Sequence, residues 1–197
     1  MSERARALVV VNPGARHGTG RQRWQRVRRA VEERFEPEVM LLEGERSLDQ
    51  SVERALREGI RAFVAAGGDG TVHALVNAIG RGRAGIAWSA LSLGAVGLGS
   101  SNDFHKPCRS WCEGVPILLG PAAPRDVARA LYLDEGGVVQ QRLFLVSASL
   151  GVTACANAFF NRGDALLRFL KRWWVGGAIA YAAARSVALH RSIPLRL

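Results

Sequence analysis

Cysteine is scarce in this chain: 197 residues hold three, Cys108, Cys112 and Cys155. So sparse and odd a set excludes a disulfide framework and fits a reducing cytoplasm. It argues against an ordinary zinc site as well. His105, Cys108 and Cys112 lie close together, but the Cys-x3-Cys spacing is unusual, a fourth ligand is lacking and Pro107 interrupts the run. Long apolar runs are also lacking. Glycines and serines break Ala84–Asn102, and Ser, Thr, Asn and Gly break Leu143–Asn161, so neither reads as a membrane-spanning helix. Met1-Ser-Glu-Arg-Ala-Arg6 enters a strand without an apolar leader or a small-residue cleavage site, which makes the cytoplasm the expected location. Internal repeats and low-complexity tracts are missing. No helix-turn-helix pattern and no basic platform interleaved with aromatics is evident, so nucleic acid is not an expected partner.

Lysine is nearly missing too. Lys106 and Lys171 are the only two, and the formal charge of +10 rests on arginine. Such a bias has two readings: a GC-rich coding sequence, or attraction to a polyanion such as a nucleotide or an anionic lipid surface. What the chain does have is apolar content, at 48%, enough for a packed core in one large domain or two small ones.

Ala7–Val11 is a continuous apolar run, the mark of a strand buried on both faces. Asn12-Pro13-Gly14 ends it, and a Gly-rich loop runs to Gly20. Arg21–Phe35 reads as a helix with Trp24, Val27, Val31 and Phe35 on one face. Val39–Leu42 is a second strand. Ser47 is placed to cap a helix over Leu48–Gly59. Ala62–Ala66 is a third strand, and a helix-like pattern runs over Val72–Ile79. Alternation at this spacing predicts an α/β fold, a doubly wound and mostly parallel sheet with helices on both faces. After Pro121 the pattern changes. Val127–Leu133 and Val138–Val146 read as strands of a hairpin turning at Asp134-Glu-Gly-Gly137, followed by a long helical stretch to His190. A boundary is therefore expected near residue 122.

The densest chemistry lies at Gly67-Gly68-Asp69-Gly70-Thr71, between the third strand and its helix. Glycines let the backbone approach a ligand closely, and the helix start favours an anion. A carboxylate in such a cradle is repulsive unless it is offset, so Asp69 implies either Mg2+ or a backbone clamp. Sheets of this kind bind ligands outside the carboxyl ends of their strands. Asn12-Pro13, Gly67–Thr71 and Gly97-Leu-Gly-Ser-Ser-Asn-Asp-Phe104 all belong there. Arg16 and Arg21 flank the first of these loops and are the better phosphate candidates among the arginines. Asp103 also has a plain reading as a helix N-cap.

Taken in that order, Asn12-Pro13, Gly67–Thr71 and Leu98–Phe104 resemble the catalytic domain of the diacylglycerol kinase family, which includes bacterial lipid kinases and sphingosine kinases. The Phe144-x4-Ser149-x-Gly151 run and Gly176–Tyr181 extend the resemblance over most of the chain. The resemblance implies that residues 1–122 bind ATP and that residues 123–197 are an incomplete, β-sandwich-like domain with helices that takes a lipid. It implies transfer of the γ-phosphate to a lipid hydroxyl such as that of diacylglycerol, with Mg2+, at the inner face of a membrane. Carried over by position, Asn12, Pro13, Gly67, Gly68, Asp69, Gly70, Thr71, Gly99, Ser100 and Asn102 line the nucleotide site. Asp69 and Asp103 approach the metal. An NAD kinase-like phosphotransferase and a non-catalytic, basic nucleotide- or membrane-binding module are the alternatives. Oligomeric state stays open, a homodimer included.

The chain departs from the family pattern at several positions. Arg16 stands where the family often has the last glycine of Asn-Pro-x-x-Gly, Gly97 where proline is common, Ser101 where glycine is common, and Ala74 where glutamate is frequent. Ser100 replaces a threonine and keeps its hydroxyl. Family members also continue for roughly another hundred residues, so the acidic general base is expected beyond residue 197. The segment Leu166–Val175 mixes cations with large apolar residues, as a membrane-interface helix or a packed helix would.

Overall fold

The computed structural model describes residues 4–134, 136–149 and 151–189. Glu135 of the hairpin turn, Leu150, the helix end expected at His190 and the strand start read at Pro194–Leu197 lie outside them. By packing, the described chain forms two compact units that divide between Val146 and Ser147. No described helix is long and apolar enough to cross a membrane.

The first unit is built on a six-stranded sheet. Its strands are β1 (Ala5–Val11), β2 (Phe35–Leu41), β3 (Ala62–Gly67), β4 (Ser92–Gly97), β5 (Trp111–Cys112) and β6 (Val115–Leu118), in the order β2-β1-β3-β4-β6-β5. The first four are parallel, with Val9 opposite both Val39 and Val64 and Val64 opposite Gly94. β6 returns antiparallel along β4, and β5 folds back on β6.

The continuous apolar runs predict burial on both faces, and the packing realises it. Leu8, Val10, Phe63 and Ala65 meet α3 (Glu45–Arg57) and α4 (Asp69–Gly82) on one side. Val9, Val11, Val64 and Ala66 meet α2 (Gly20–Glu32) on the other, through Trp24, Val27 and Val31. Phe63 and Leu8 are fully buried, each worth about 2 kcal/mol of transfer free energy. The sheet is therefore doubly wound, as the spacing predicts.

Local boundaries differ from the sequence reading in ways that geometry explains. Phe35 leaves the helix and opens β2, its ring packing against the core cluster that includes Trp24, Val27 and Val31. Pro37 is tolerated within β2 because that strand is the sheet's edge. Ser47 is not the cap of α3. Gly44 is, and the Ser47 hydroxyl donates back to the Gly44 carbonyl from inside the first turn. The loop after β1 contains a single helical turn, α1 (Ala15–Gly18).

A hairpin of β7 (Ala128–Leu133) and β8 (Val139–Phe144), with Tyr132 opposite Gln140, completes the first unit. The Asp134 carboxylate closes its turn by accepting from the Gly136 and Val138 amides. Buried Asn77 of α4 ties the hairpin to the main body. Its Nδ2 donates to the Leu143 carbonyl and its Oδ1 accepts from the Leu143 amide, each at 2.9 Å. The side chain thus behaves like one more residue of a β ladder. The composition change at residue 122 falls after the last strand of the main sheet, while packing keeps the hairpin with that sheet through Asn77.

Among the described residues the second unit holds three helices, α5 (Val152–Arg162), α6 (Ala165–Trp173) and α7 (Val175–Ala188). Leu167, Ala178 and Ala182 form its small core, with Phe159, Leu170 and Tyr181 packed around them. The expected long helical stretch is broken at Gly163-Asp164 and at Trp174. Asp164 caps α6 by accepting from the Leu167 amide at 2.8 Å, and its carboxylate also takes the Tyr181 hydroxyl and the Arg185 guanidinium.

Candidate functional site

Three loops at the carboxyl ends of β1, β3 and β4 enclose a cleft of about 350 Å3. Asn12, Arg16, Gly68–Thr71 and Gly99–Ser101 supply its polar wall, and Ala15 and Leu42 its apolar part. Most of these residues come from the three segments that sequence alone sends to this edge. Leu42 does not, although its position just past β2 follows the same carboxyl-end rule.

The loops are held against one another through backbone and short side chains. The Asn12 amide donates to the Ala66 carbonyl at 2.9 Å, which carries the β1–β3 pairing one step past the strand. Its Nδ2 donates to the buried Thr71 hydroxyl at 3.2 Å, and its Oδ1 accepts from the Gly14 amide. A Cβ on Gly67 would fall 2.1 Å from Thr71 Oγ1, so only glycine lets the threonine fold under the strand end. A Cβ on Gly99 would fall 2.5 Å from the Gly68 Cα. The second and third loops thus touch backbone to backbone.

Gly68 caps α4, and its carbonyl takes the Thr71 and Val72 amides. The Asp69 and Gly70 amides begin the helix and have no intrahelical acceptor, which gives the cleft free donors at the positive end of a 14-residue helix. Asp69 lines the same wall, and its Oδ1 accepts the Phe104 amide at 2.9 Å. Of the two roles open to this carboxylate, the backbone clamp is therefore present, and it reaches into the third loop.

That loop is shaped by Asn102, which sits in the left-handed region at φ 52, a conformation asparagine tolerates. Its Oδ1 accepts from the Gly99 amide, and its Nδ2 donates to the Gly97 and Gly99 carbonyls. Gly97 leaves room that a larger residue would take. Its Cβ would meet Pro116 at 2.5 Å and Asn102 at 3.0 Å. Gly67 and Asn102 accordingly shape the cleft from behind its lining, and Pro13 is not among the lining residues. Asp103 opens a short 3-10 turn, Asp103–His105, and pairs with Lys106. Asn102 holds the cap position of that turn without a side-chain bond.

Behind the loop His105 is buried, and neither ring nitrogen has a hydrogen-bond partner among the described residues. Burial pushes its pKa below 6.5. The Ala95 and Asn102 carbonyls and the Asp69 carboxylate pull the other way, but neither carbonyl reaches hydrogen-bond geometry. The imidazole is neutral at pH 7. Among the described residues no group of three His, Cys, Asp or Glu side chains is placed to hold a metal ion.

This geometry suits a phosphorylated ligand: free amides at a helix start, a close-approach glycine backbone, one cation and one carboxylate. Residues 6–114 match the family model described as the diacylglycerol kinase catalytic domain. Over 104 residues the chain is 38% identical to a protein named probable lipid kinase YegS-like from each of two strains of Pseudomonas aeruginosa. That stretch is 51% of this chain and 30% of the relative, so the match spans under a third of the length of the relatives. On the extent of the family match and the cleft it encloses, the chain belongs to the diacylglycerol kinase catalytic domain family.

Proposed function

We propose that this chain is the nucleotide-binding part of an ATP-dependent lipid kinase, which transfers the γ-phosphate to a lipid hydroxyl such as that of diacylglycerol. The observation that carries the reading is the convergence of Asn12, Gly68–Thr71 and Gly99–Ser101 on one cleft at the start of α4. Free amides there suit phosphate oxygens, and the serine hydroxyls add donors that rotate to fit. Asp69 is the single carboxylate among the described lining residues. Mg2+ is commonly held by one or two carboxylates together with nucleotide phosphates, so this donor set fits it, and Asp103 is the second candidate ligand. Bound Mg2+ would neutralise charge on the phosphoryl oxygens. The residues of this chain would hold the triphosphate, orient it along the strand ends and keep the third loop in place through Asp69 and Asn102.

In this reading residues 1–122 take the nucleotide and residues 123–197 contribute to the lipid site. Two features support contact with an anionic membrane surface on the cytoplasmic side. Leu166, Phe169 and Trp173 are exposed at i, i+3, i+7 spacing along α6. Between Ser147 and Leu189, Asp164 is the single acid, against Arg162, Arg168, Lys171, Arg172 and Arg185. Among the described residues we assign no general base.

Thermal unfolding with and without Mg-ATP tests the nucleotide half of the proposal. Saturating Mg-ATP is expected to raise Tm measurably, following the mass action of a ligand that binds the folded state alone. An unmoved Tm at millimolar Mg-ATP would sink it. For the longer protein, labelled phosphate from ATP is expected in an organic-extractable product. Label found on NAD instead would favour the NAD kinase alternative.

A further inference from the structure

The cleft has one cation among its described lining residues, Arg16, and no lysine. Of the two lysines in the chain, Lys106 pairs with Asp103, and the Lys171 ammonium donates to the Phe160 carbonyl. No described acid pairs with Arg16. Its backbone lies at φ 49, a left-handed conformation that a long side chain adopts only at a cost. The loop pins it there. The Thr19 amide and hydroxyl both donate to the Arg16 carbonyl. At the end of the loop a Cβ on Gly20 would come within 2.3 Å of the Asn12 carbonyl oxygen, so the chain returns tightly against its own start. Glycine would occupy position 16 without strain. An arginine that is strained, unpaired and facing a phosphate cradle is the pattern in which an unfavourable backbone is retained for what the side chain does.

We propose that Arg16 grips the phosphates of the bound nucleotide and is the positioning cation of this cleft, opposite the Asp69 and Gly70 amides. This rests on the nucleotide reading above. A guanidinium presents paired donors to phosphate oxygens and is charged at every physiological pH. It also offsets the Asp69 carboxylate on the same wall, which eases the approach of a triphosphate.

Strain and grip predict opposite signs, and that makes the idea testable on the full chain by calorimetric titration with Mg-ATP and by melting without ligand. Arg16→Gly is expected to raise the ligand-free Tm by about 2–4 °C through relief of the left-handed backbone. The same change is expected to weaken Mg-ATP binding about tenfold, the usual scale of a lost charge-assisted bond. Arg16→Ala keeps the strain, so it loses the affinity without gaining Tm. Arg16→Lys retains part of the affinity. Arg26→Ala, an equal charge change at an exposed position of α2, leaves both readouts where they were. Parent-like Mg-ATP affinity in both Arg16→Gly and Arg16→Ala would overturn the proposal, and so would a lowered ligand-free Tm in Arg16→Gly. A parent chain that binds no Mg-ATP overturns the nucleotide reading itself, and the grip with it, a result read before any variant is made.

Discussion

The Asp69 carboxylate accepts the Phe104 backbone amide across 35 positions of sequence, at 2.9 Å. The single acid lining the cleft among the described residues is therefore also the strut that fixes the loop bearing Ser100 and Asn102. Charge and strut can be separated.

Asp69→Asn retains an oxygen for the Phe104 amide and removes the charge. Its ligand-free Tm should stay close to the parent's, while the extra stabilisation by Mg-ATP over ATP alone disappears. Asp69→Ala removes the strut as well and should cost about 1–2 kcal/mol. Paired melting curves with ATP, with Mg-ATP and without ligand decide the matter. An Asn variant that melts as low as the Ala variant would mean that the charge, not the oxygen, holds the loop.

Two glycines of the cleft should answer a methyl group in opposite ways. Gly99→Ala drives a Cβ to 2.5 Å from the Gly68 Cα, a backbone contact with nothing flexible to give way, and should cost about 1–3 kcal/mol. Gly70→Ala meets nothing within 4 Å and lies in the first turn of α4. It should stabilise the ligand-free protein by up to about 1 kcal/mol. Urea midpoints at a common slope measure both.

Asn77 is buried on the apolar stripe of α4; it makes two bonds to Leu143, and its Nδ2 also donates to the His73 carbonyl at 2.8 Å. Asn77→Leu is nearly the same size but leaves the Leu143 amide and carbonyl without partners, at a cost of about 2–4 kcal/mol. Amide hydrogen exchange should show protection lost first in Val139–Phe144 and retained in the central strands. Uniform loss across the first unit would argue that Asn77 supports the core as a whole.

The helical unit should weaken in acid through Asp164. The Leu167 amide holds its carboxyl below the ordinary 3.8 against the opposing effect of burial, with smaller help from the Tyr181 hydroxyl and Arg185. A depressed folded pKa stabilises above the unfolded value and loses that contribution as pH falls through the folded one. Helicity of the parent, followed by circular dichroism, should therefore fall below about pH 4. Asp164→Asn should start lower at neutral pH and show a shallower acid limb. Parallel acid limbs in parent and variant would count against this assignment.

Much of the first unit was legible because its signals are local. Uninterrupted apolar runs at Ala7–Val11 and Ala62–Ala66 can be satisfied only by burial on both faces, and the glycines of Gly67–Thr71 have few uses besides a tight turn. The three loops could be sent to one edge by the carboxyl-end rule alone. The links between them could not be read. Asp69 to Phe104, Asn12 to Thr71 and Asn77 to Leu143 join residues far apart in sequence, and such bonds leave no period. The one hint for Asn77 was an amide set within an apolar stripe, which burial requires to be paired. The left-handed Arg16 was hidden for a different reason. Nothing in the residue type asks for that conformation, and the surrounding loop imposes it.

Helix α4 is latched at two points, Thr71 to Asn12 beside the cleft and Asn77 to Leu143 in the hairpin. Six residues, about 9 Å of helix axis, separate the latches. The stretch between them is continuous helix, so the cleft and β8 are tied to one element. A shift of the first turn of α4 would therefore be expected to reach the hairpin, and a shift of the hairpin to reach Gly70.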